Sequence, residues 1–278
     1  MQLQELHHDI QDLYRLSVAQ LRATQRAHDV VMQFLQALQQ GQLRAAVRDE
    51  CGRWQAVPVV KQGILVAFRL GALQQVRCGG LTFVDKHTLP LRQWSAAQGV
   101  RVVPGGSSVR QGAYVAAGVV IMPPAYVNVG SYVGAGSMVD SHVLVGSCAQ
   151  VGQHVHLSAA VQLGGVLEPV AAVPVVVEDN VFVGGGAGLY EGVVVRSGAV
   201  IAAGVVLTAS TKVYDLVHER VLTGPRLEIP ERAVVVQGSR PAAGAFAGSH
   251  GVQLAAAVIV KYRDEATDAK TVLEQALR

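Results

Sequence analysis

The feature that most constrains this chain is an aliphatic residue at every sixth position, uninterrupted from Val109 to Leu163 and resumed from Val177 to Val213. A period of six matches neither the roughly 3.6-residue period of an α-helix nor the two-residue period of a strand. Such a fixed period indicates repeats that stack on one another. The series is Val109, Val115, Ile121, Val127, Val133, Val139, Val145, Val151, Leu157, Leu163, Val177, Val183, Leu189, Val195, Ile201, Leu207 and Val213.

The positions between the aliphatic residues also repeat. The fourth residue after each is small or β-branched, as at Ala113 and Ser131, and the third is often glycine, as at Gly112 and Gly204. We interpret each repeat as a short strand with its aliphatic side chain inward, followed by a corner. The small residue fills that corner, and glycine supplies the backbone freedom that it needs. Stacked coils pair their backbone groups with the coils above and below, which predicts a parallel β-helix.

Composition limits the class of protein. Of the 278 residues, 50% are hydrophobic and only 15% are charged, which favours large surfaces buried between subunits. No apolar run approaches the about 18 residues of a membrane span, and the first residues lack the apolar core of a signal peptide. Three widely spaced cysteines argue against a disulfide framework. We therefore expect a cytoplasmic protein that does not bind a membrane.

The charge balance says less about partners. A net charge of +3 comes without runs of lysine and arginine and without interleaved aromatic residues. That pattern makes nucleic acid an improbable partner. A small anionic substrate or cofactor fits the charge equally well, but the charge alone proves neither.

Three domains are expected. Residues 1–100 form an α-rich domain with two helices in the first 40 residues, a hairpin around residues 49–52 and a helix from Val59 to Leu70. We expect this domain to cap the open end of the β-helix. Residues 101–242 form the β-helix, interrupted by an insertion between Leu163 and Val177 that is typical of a binding face. Residues 243–278 form a final strand and a final helix from Asp264.

At this level the chain resembles the hexapeptide-repeat proteins. The resemblance implies a left-handed parallel β-helix with three short strands per turn. Most members of that class are trimeric acyltransferases that bind an acyl-CoA in the cleft between neighbouring β-helices. The alternative from the residues alone is a β-helix that serves only as a scaffold.

Several segments resemble one family within this class, tetrahydrodipicolinate N-succinyltransferase. The likeness covers the whole chain. It implies a cytoplasmic homotrimer with active sites between subunits, succinyl-CoA as co-substrate with no permanently bound cofactor, and a cyclic imino-dicarboxylate acceptor that is opened and acylated on nitrogen. The segments that carry it are residues 101–104, 109–113, 138–140, 145–150, 155–158, 164–169, 178–180 and 257–261.

The chain departs from the family pattern at its site residues. The functional aspartate of the family matches Asp140, but its glutamate is replaced by Gly188 and a neighbouring arginine by Gly186. His142 stands where the family has an aromatic residue, and acidic residues replace a basic stretch after residue 263. We interpret the run of glycines at residues 184–188 as making room in the pocket. These changes predict a diverged acceptor site.

Asp140 and His142 are the candidate catalytic residues. A carboxylate or a neutral imidazole facing the cleft can orient or deprotonate the attacking amine. The alternatives are a solvated turn aspartate and an exposed corner histidine. The resemblance further implies an acceptor site and a CoA site. The acceptor-site residues are Ser158, Gly164, Glu168 and Gly188, and the CoA-site residues are Gly184, Gly185, Ala203, Gly204 and Lys261.

Other residues favour structural roles. Glu178 also matches the family, but an interface role explains it equally well. His142 and His154 fall at different corners of the predicted β-helix, so they cannot converge on a metal within one chain, and we expect no metal site. Cys148 falls at a corner position, which favours packing over nucleophilic chemistry.

The leading functional hypothesis is a CoA-dependent N-acyltransferase acting on tetrahydrodipicolinate or a close relative, with succinyl-CoA or acetyl-CoA as donor. The loss of the glutamate and the arginine favours a paralogue recruited to specialised metabolism, such as the branch associated with tabtoxin. The alternatives are a housekeeping tetrahydrodipicolinate N-succinyltransferase of lysine and diaminopimelate biosynthesis, and a trimer that binds acyl-CoA without turnover.

Overall fold

The computed structural model describes residues 3–224 and 226–264. Its N-terminal part contains helices α1 (Leu3–Arg15), α2 (Val18–Ala23), α3 (Ala27–Gln39) and α4 (Pro58–Leu70). The first 40 residues therefore hold three helices rather than the two that were predicted. Ser17 separates α1 from α2 because it is the N-cap residue of α2. Its side chain accepts a hydrogen bond from Gln20 N, and its backbone N–H donates to the side chain of Gln20.

Two hairpins accompany these helices. Strands β1 (Ala46–Arg48) and β2 (Trp54–Ala56) form the predicted hairpin, and α4 matches the predicted helix. Strands β3 (Leu73–Cys78) and β4 (Leu81–Lys86) form a second hairpin that turns at residues 79–80, where only a loop was expected. None of the described helices is both long and apolar enough to cross a membrane.

The central part is a left-handed parallel β-helix of two-residue strands. A 3₁₀ turn (Ala96–Gln98) precedes it. The strands are β5 (Arg101–Val102), β6 (Ser108–Val109), β7 (Tyr114–Val115), β8 (Val120–Ile121), β9 (Tyr126–Val127), β10 (Tyr132–Val133), β11 (Met138–Val139), β12 (Leu144–Val145), β13 (Gln150–Val151), β14 (His156–Leu157), β15 (Gln162–Leu163), β16 (Val176–Val177), β17 (Phe182–Val183), β18 (Gly188–Leu189), β19 (Val194–Val195), β20 (Val200–Ile201) and β21 (Val206–Leu207).

Every third strand pairs in parallel with the next, which gives three faces. The first face contains β5, β8, β11, β14, β17 and β20, the second contains β6, β9, β12, β15, β18 and β21, and the third contains β7, β10, β13, β16 and β19. The second residue of each strand after β5 points inward and is buried, as the six-residue period predicts. Corner glycines such as Gly112 and Gly204 have positive φ, which confirms why glycine recurs there.

The helices and the β1–β2 hairpin of the N-terminal domain pack along the third face. Arg44 contacts Tyr132 and Gln150, and Trp54 contacts Glu178 on that face. Trp94, which also lies within residues 1–100, packs against the β-helix core. That these residues cap the open end stays a prediction.

The C-terminal part extends the first face. The remaining strands are β22 (Val213–Asp215), β23 (Arg220–Leu222), β24 (Glu228–Ile229), β25 (Ala233–Pro241) and β26 (Gln253–Tyr262), and a short helix α5 spans Ala245–Ser249. Strand β24 joins the third face, while β25 pairs with β20 and then with β26. The predicted final strand is thus present as β26. The predicted helix from residue 264 lies outside the described residues, apart from Asp264 itself.

Candidate active site

The corner between the first and second faces gathers most of the predicted site residues. We call it the Asp140 edge and define it as residues 140–142, 158–160, 184–186 and 202–204. Backbone hydrogen bonds link its successive coils, from Ala160 N to Ser141 O (2.8 Å), from Gly186 N to Ala159 O (2.9 Å) and from Gly204 N to Gly185 O (2.9 Å). The edge therefore brings together seven predicted residues, namely Asp140, His142, Ser158, Gly184, Gly185, Ala203 and Gly204.

Asp140 follows the inward Val139 and is half-buried. Its backbone N–H donates to Leu157 O (3.0 Å), and its Oδ1 accepts a hydrogen bond from Ser141 N (2.7 Å). No described residue donates to Oδ2. The carboxylate is thus held in place by one oxygen while the other can meet a donor outside the coil, which is what a group that orients or deprotonates an amine needs.

His142 lies at the same corner, with an exposed side chain and a left-handed backbone (φ 63°). Its backbone N–H donates to Pro124 O (2.6 Å), and its carbonyl accepts from Gln162 Nε2 (3.2 Å). No described residue hydrogen-bonds to its imidazole. The left-handed conformation is uncommon for a residue other than glycine. An exposed imidazole at this corner fits a catalytic base and a solvated corner residue equally well.

Gly188 lies on the second face beneath the ring of Tyr190. A Cβ at Gly188 would stand 2.5 Å from Tyr190 Cε2 and 2.9 Å from its Oη, and a Cβ at Gly164 would stand 2.8 Å from Cδ1 of the same ring. Gly184 is equally confined, since a Cβ there would be 2.4 Å from Ala203 N. The interpretation of these glycines as open room was therefore wrong for Gly184 and Gly188, and Gly186 alone faces open space.

Tyr190 and Gln162 are two candidate site residues that the sequence reasoning missed. Tyr190 is half-buried, and its hydroxyl has no hydrogen-bond partner among the described residues. Gln162 lies on the second face next to Gly188, and its Nε2 donates to the carbonyls of His142 and Ala160. Gln162 could have been found, because the residue directly before each inward position faces outward. No sequence pattern pointed to Tyr190, because the position of its ring over Gly188 is visible only in the folded chain.

The insertion at residues 164–175 borders the second face on its other side. Glu168 is exposed there, directly before Pro169. The insertion is fixed by Lys61, which is fully buried in α4 and donates to Ala172 O. Burial lowers the pKa of Lys61. The second face thus lies between the Asp140 edge and an insertion that the N-terminal domain holds.

Lys261 is not on the Asp140 edge. It pairs with Val234, which precedes the corner, and its Nζ donates to the carboxylate of Asp264 at 3.1 Å and 3.2 Å. The structure therefore separates it from the other predicted CoA-site residues within one chain.

Glu178 has a structural role on the third face. The buried carboxylate accepts hydrogen bonds from Trp54 Nε1 (2.8 Å), from Arg196 Nη1 (3.0 Å) and from the backbone and hydroxyl of Ser197 (3.0 Å each). Burial by itself would raise its pKa, but these bonds and the charge of Arg48 hold the pKa below its usual range. Glu178 therefore joins the β1–β2 hairpin to the coils.

Cys148 and the histidines supply no further chemistry here. Cys148 is fully buried, and burial raises the pKa of its thiol to about 12, so the reactive thiolate is suppressed. His142 and His154 occupy different corners, as predicted. No cluster of three or more metal-binding side chains occurs within residues 3–224 and 226–264.

Asp140 and Gly188 lie at different heights on the β-helix. Asp140 leads into β12, and Gly188 begins β18, two strands further along the second face. With about 4.8 Å between neighbouring strands, the axial offset is roughly 10 Å.

Comparisons with known proteins identify the family models and the relatives that this chain resembles. Residues 5–70 match the family model described as tetrahydrodipicolinate N-succinyltransferase N-terminal, and residues 174–209 match that described as hexapeptide repeat of succinyl-transferase. A protein of Granulibacter bethesdensis named 2,3,4,5-tetrahydropyridine-2,6-dicarboxylate N-succinyltransferase is 45% identical over 260 residues, which cover 92% of this chain and 91% of that protein.

Two further matches are a curated relative and a solved structure. A protein of Azoarcus sp. with the same name is 41% identical over 282 residues, which cover 99% of each chain. A solved structure described as a putative 2,3,4,5-tetrahydropyridine-2-carboxylate N-succinyltransferase from Campylobacter jejuni shares 15% identity with a TM-score of 0.46, covering 88% of this chain and 64% of that chain.

Proposed function

Since this chain belongs to the tetrahydrodipicolinate N-succinyltransferase family, we propose that it transfers the succinyl group of succinyl-CoA to tetrahydrodipicolinate in lysine and diaminopimelate biosynthesis. The observation that carries the proposal is the match to relatives of that name at 41–45% identity over more than nine-tenths of this chain. Among the sequence hypotheses this was the alternative, and the relatives support it better than the diverged paralogue.

The reaction divides into two steps. Water adds across the C=N bond of the cyclic imine, and the ring opens to a free amine and a ketone. The amine nitrogen then attacks the thioester carbonyl, the C–S bond breaks, and CoA leaves as the thiol while the nitrogen gives up a proton. The enzyme must keep the amine neutral and carry that proton away.

Asp140 is the residue that we assign to this proton. Its Oδ2 accepts no hydrogen bond from the described residues, and apart from His142 the other residues of the edge have small side chains or none, so an amine can approach it. Gln162 presents its side-chain amide on the adjoining second face and contacts the acceptor. Gly184, Gly185, Ala203 and Gly204 have small side chains or none in the upper part of the edge, where the side chain of Gln237 donates to Ala203 O (3.2 Å), and we place the acyl-CoA there.

The oligomer that we propose is a homotrimer with its site between chains. Support comes from the charged fraction of only 15%, which leaves apolar surface to bury between chains. In a trimer, the Asp140 edge of one protomer and the second face of its partner can border the same cleft. Both substrates would bind there, and we expect this to take place in the cytoplasm.

A second candidate function rests on Gly188 and Tyr190. The ring occupies the space directly above Gly188, so a phenol stands where the family pattern has a carboxylate. This observation favours an N-acyltransferase with an altered acceptor, or with acetyl-CoA as donor, as in the specialised-metabolism hypothesis. The two candidates share the fold and Asp140 and differ in substrate.

The test is acyl transfer by the purified full chain, followed as free thiol released from succinyl-CoA or acetyl-CoA with tetrahydrodipicolinate. We expect succinyl-CoA to be the better donor. Asp140→Asn should lower kcat by about 10²–10⁴-fold while CoA binding stays intact, because it removes only the acid–base group. Cys51→Ser is the matched control, since Cys51 is exposed and remote from the edge.

Three outcomes would overturn parts of the proposal. Preference for acetyl-CoA, or turnover only with another amine, would favour the second candidate. Acyl-CoA binding without thiol release would make the protein a non-catalytic binding trimer. Normal turnover in folded Asp140→Asn would remove Asp140 from the mechanism.

A further inference from the structure

A second cleft lies between the β1–β2 hairpin and the third face, across the β-helix from the Asp140 edge. Its volume is ≈ 360 Å³, within the range of about 300–1,000 Å³ that small-molecule sites occupy. Arg44, Trp54, Tyr132 and Asp179 are among the residues that line it. Because it faces away from the proposed reaction, a ligand here would not touch the reacting atoms.

Arg44 presents an oriented charge to this cleft. Its guanidinium carbon lies 3.8 Å from the centre of the Tyr132 ring, and its Nε donates to Gln150 Oε1 at 3.0 Å. These two contacts fix the plane of the group. No described residue accepts a hydrogen bond from its two terminal nitrogens, which are the pair that binds a carboxylate in a bidentate manner.

The surroundings of Arg44 make this charge costly without a ligand. Burial is the largest influence on the group, and it lowers the pKa of Arg44. An arginine keeps its proton in such a setting, so the partly desolvated cation lacks a full counter-charge. An anion that reached it would form a hydrogen-bonded ion pair that is stronger than one in open solvent.

Asp179 supplies the opposite charge on the same cleft. It is exposed, and its Oδ1 accepts a hydrogen bond from Gln153 N (2.8 Å), while Oδ2 has no donor among the described residues. Arg44 and Asp179 form no ion pair with each other in this part of the chain, although both line the cleft. The gap between them is therefore bounded by one free cation and one free carboxylate.

The other charges around the cleft are already neutralised. Arg48 pairs with Glu178 (Nη2 to Oε1, 2.7 Å), and Glu178 also accepts from Trp54, Arg196 and Ser197. Both groups therefore already have a counter-charge, unlike Arg44 and Asp179. The two opposite charges that remain are complementary to a small molecule that carries both signs.

We propose that this cleft binds a free α-amino acid, with its carboxylate on Arg44, its ammonium group on Asp179 and its side chain along Trp54 and Val47. Such a ligand connects the N-terminal domain to a corner of the β-helix, because Arg44 belongs to the former and Asp179 to the latter. Binding favours the arrangement in which the domain is docked, and it stabilises the folded state by an amount that grows with the logarithm of the ligand concentration above Kd. The site is separate from the proposed acyl transfer.

The test measures binding to the full chain by calorimetry in the absence of acyl-CoA. The probes are L-lysine, L-glutamate and glycine, with acetate and inorganic phosphate as anions that lack an ammonium group. The variants are Arg44→Gln and Asp179→Asn, and the asparagine keeps an oxygen that can accept from Gln153 N. Arg77→Gln is the matched control, because Arg77 is exposed on the β3–β4 hairpin, away from the cleft.

We expect at least one amino acid to bind with a Kd of roughly 1 mM or tighter, and each cleft variant to weaken it about tenfold or more. Arg77→Gln should bind as the natural chain does. The proposal would be overturned if acetate or phosphate bound as tightly as the amino acids or more tightly, and if Asp179→Asn strengthened that binding. The cleft would then be a simple anion site. An absence of saturation by every amino acid at roughly 10 mM would overturn it outright. Neither result depends on acyl transfer, so failure here is distinct from failure of the proposed function.

Discussion

Replacing Gly188 by alanine would place a methyl group 2.5 Å from Tyr190 Cε2 and 2.9 Å from its Oη. Ordinary contacts between such atoms are about 3.5–4.0 Å, so the ring must move by about 1 Å or more. Gly188 has no positive φ, so the backbone accepts alanine without strain. The cost of the substitution therefore comes from the contact with Tyr190.

The expected magnitude follows from two opposing effects. Overpacking of this kind costs about 1–3 kcal/mol, while replacing glycine within a strand returns about 0.5–1 kcal/mol of conformational entropy. Gly188→Ala alone should thus be neutral to destabilising by about 2 kcal/mol. In the Tyr190→Val background the contact is gone and the substitution should stabilise. The coupling free energy between the two sites should be about 1–3 kcal/mol.

The assay is denaturant unfolding of the four chains of this cycle at one fixed protein concentration, since an oligomer's stability depends on concentration. Gly80→Ala is the control, because a Cβ there meets nothing within 4 Å. A coupling free energy below about 0.5 kcal/mol would refute the reasoning, because the ring would then not rest on Gly188.

The same pair decides between the two candidate functions. Gly188→Glu alone is uninformative because Tyr190 fills the space, so Glu must be introduced together with Tyr190→Val. If the chain is the succinyltransferase, the double variant should match or exceed the natural chain in kcat/KM with succinyl-CoA and tetrahydrodipicolinate. If the acceptor has changed, activity on the true acceptor should fall.

Three further predictions concern assembly and stability. Sedimentation should show a trimer, and a stable monomer at micromolar concentration would contradict the shared site. Lys61→Met should destabilise the fold by about 1–3 kcal/mol, because Ala172 O loses its buried donor, and limited proteolysis should then cleave within residues 164–175. Burial alone would raise the pKa of Asp215, but hydrogen bonds from Tyr262 and His218 lower it to about 2. The stability that Asp215 adds over Asp215→Asn should therefore be present above pH about 4 and lost as the pH falls toward 2, and unchanged differences across that range would contradict this.

The repeats could be predicted from sequence because the constraint is local. Each inward residue and each corner is set within six positions, so the pattern alone gives the strands, and the resemblance to hexapeptide-repeat proteins adds the three faces. Asp140 could be placed for the same reason, since the residue after an inward Val139 opens a corner. The 164–175 insertion was equally visible as a break in the period.

What could not be predicted depends on contacts between distant segments. The N-terminal domain lies on the third face because Arg44 and Gln150, which are 106 residues apart, meet there. The β3–β4 hairpin was missed because its side chains are largely exposed and show no buried alternation. Tyr190 escaped notice because only the folded chain shows that Gly188 and Gly164 receive its ring.

The contact between Trp54 and Glu178 has a consequence for how the chain is made. The two residues are 124 positions apart. At synthesis rates of about 5–20 residues per second, Glu178 is therefore synthesised roughly 6–25 s after Trp54. During that interval the N-terminal domain has emerged, but the third face against which it docks does not yet exist. The coils then form one after another against the surface of the N-terminal domain. The nascent chain, rather than the finished protein, is therefore the form that offers a chaperone the most apolar surface.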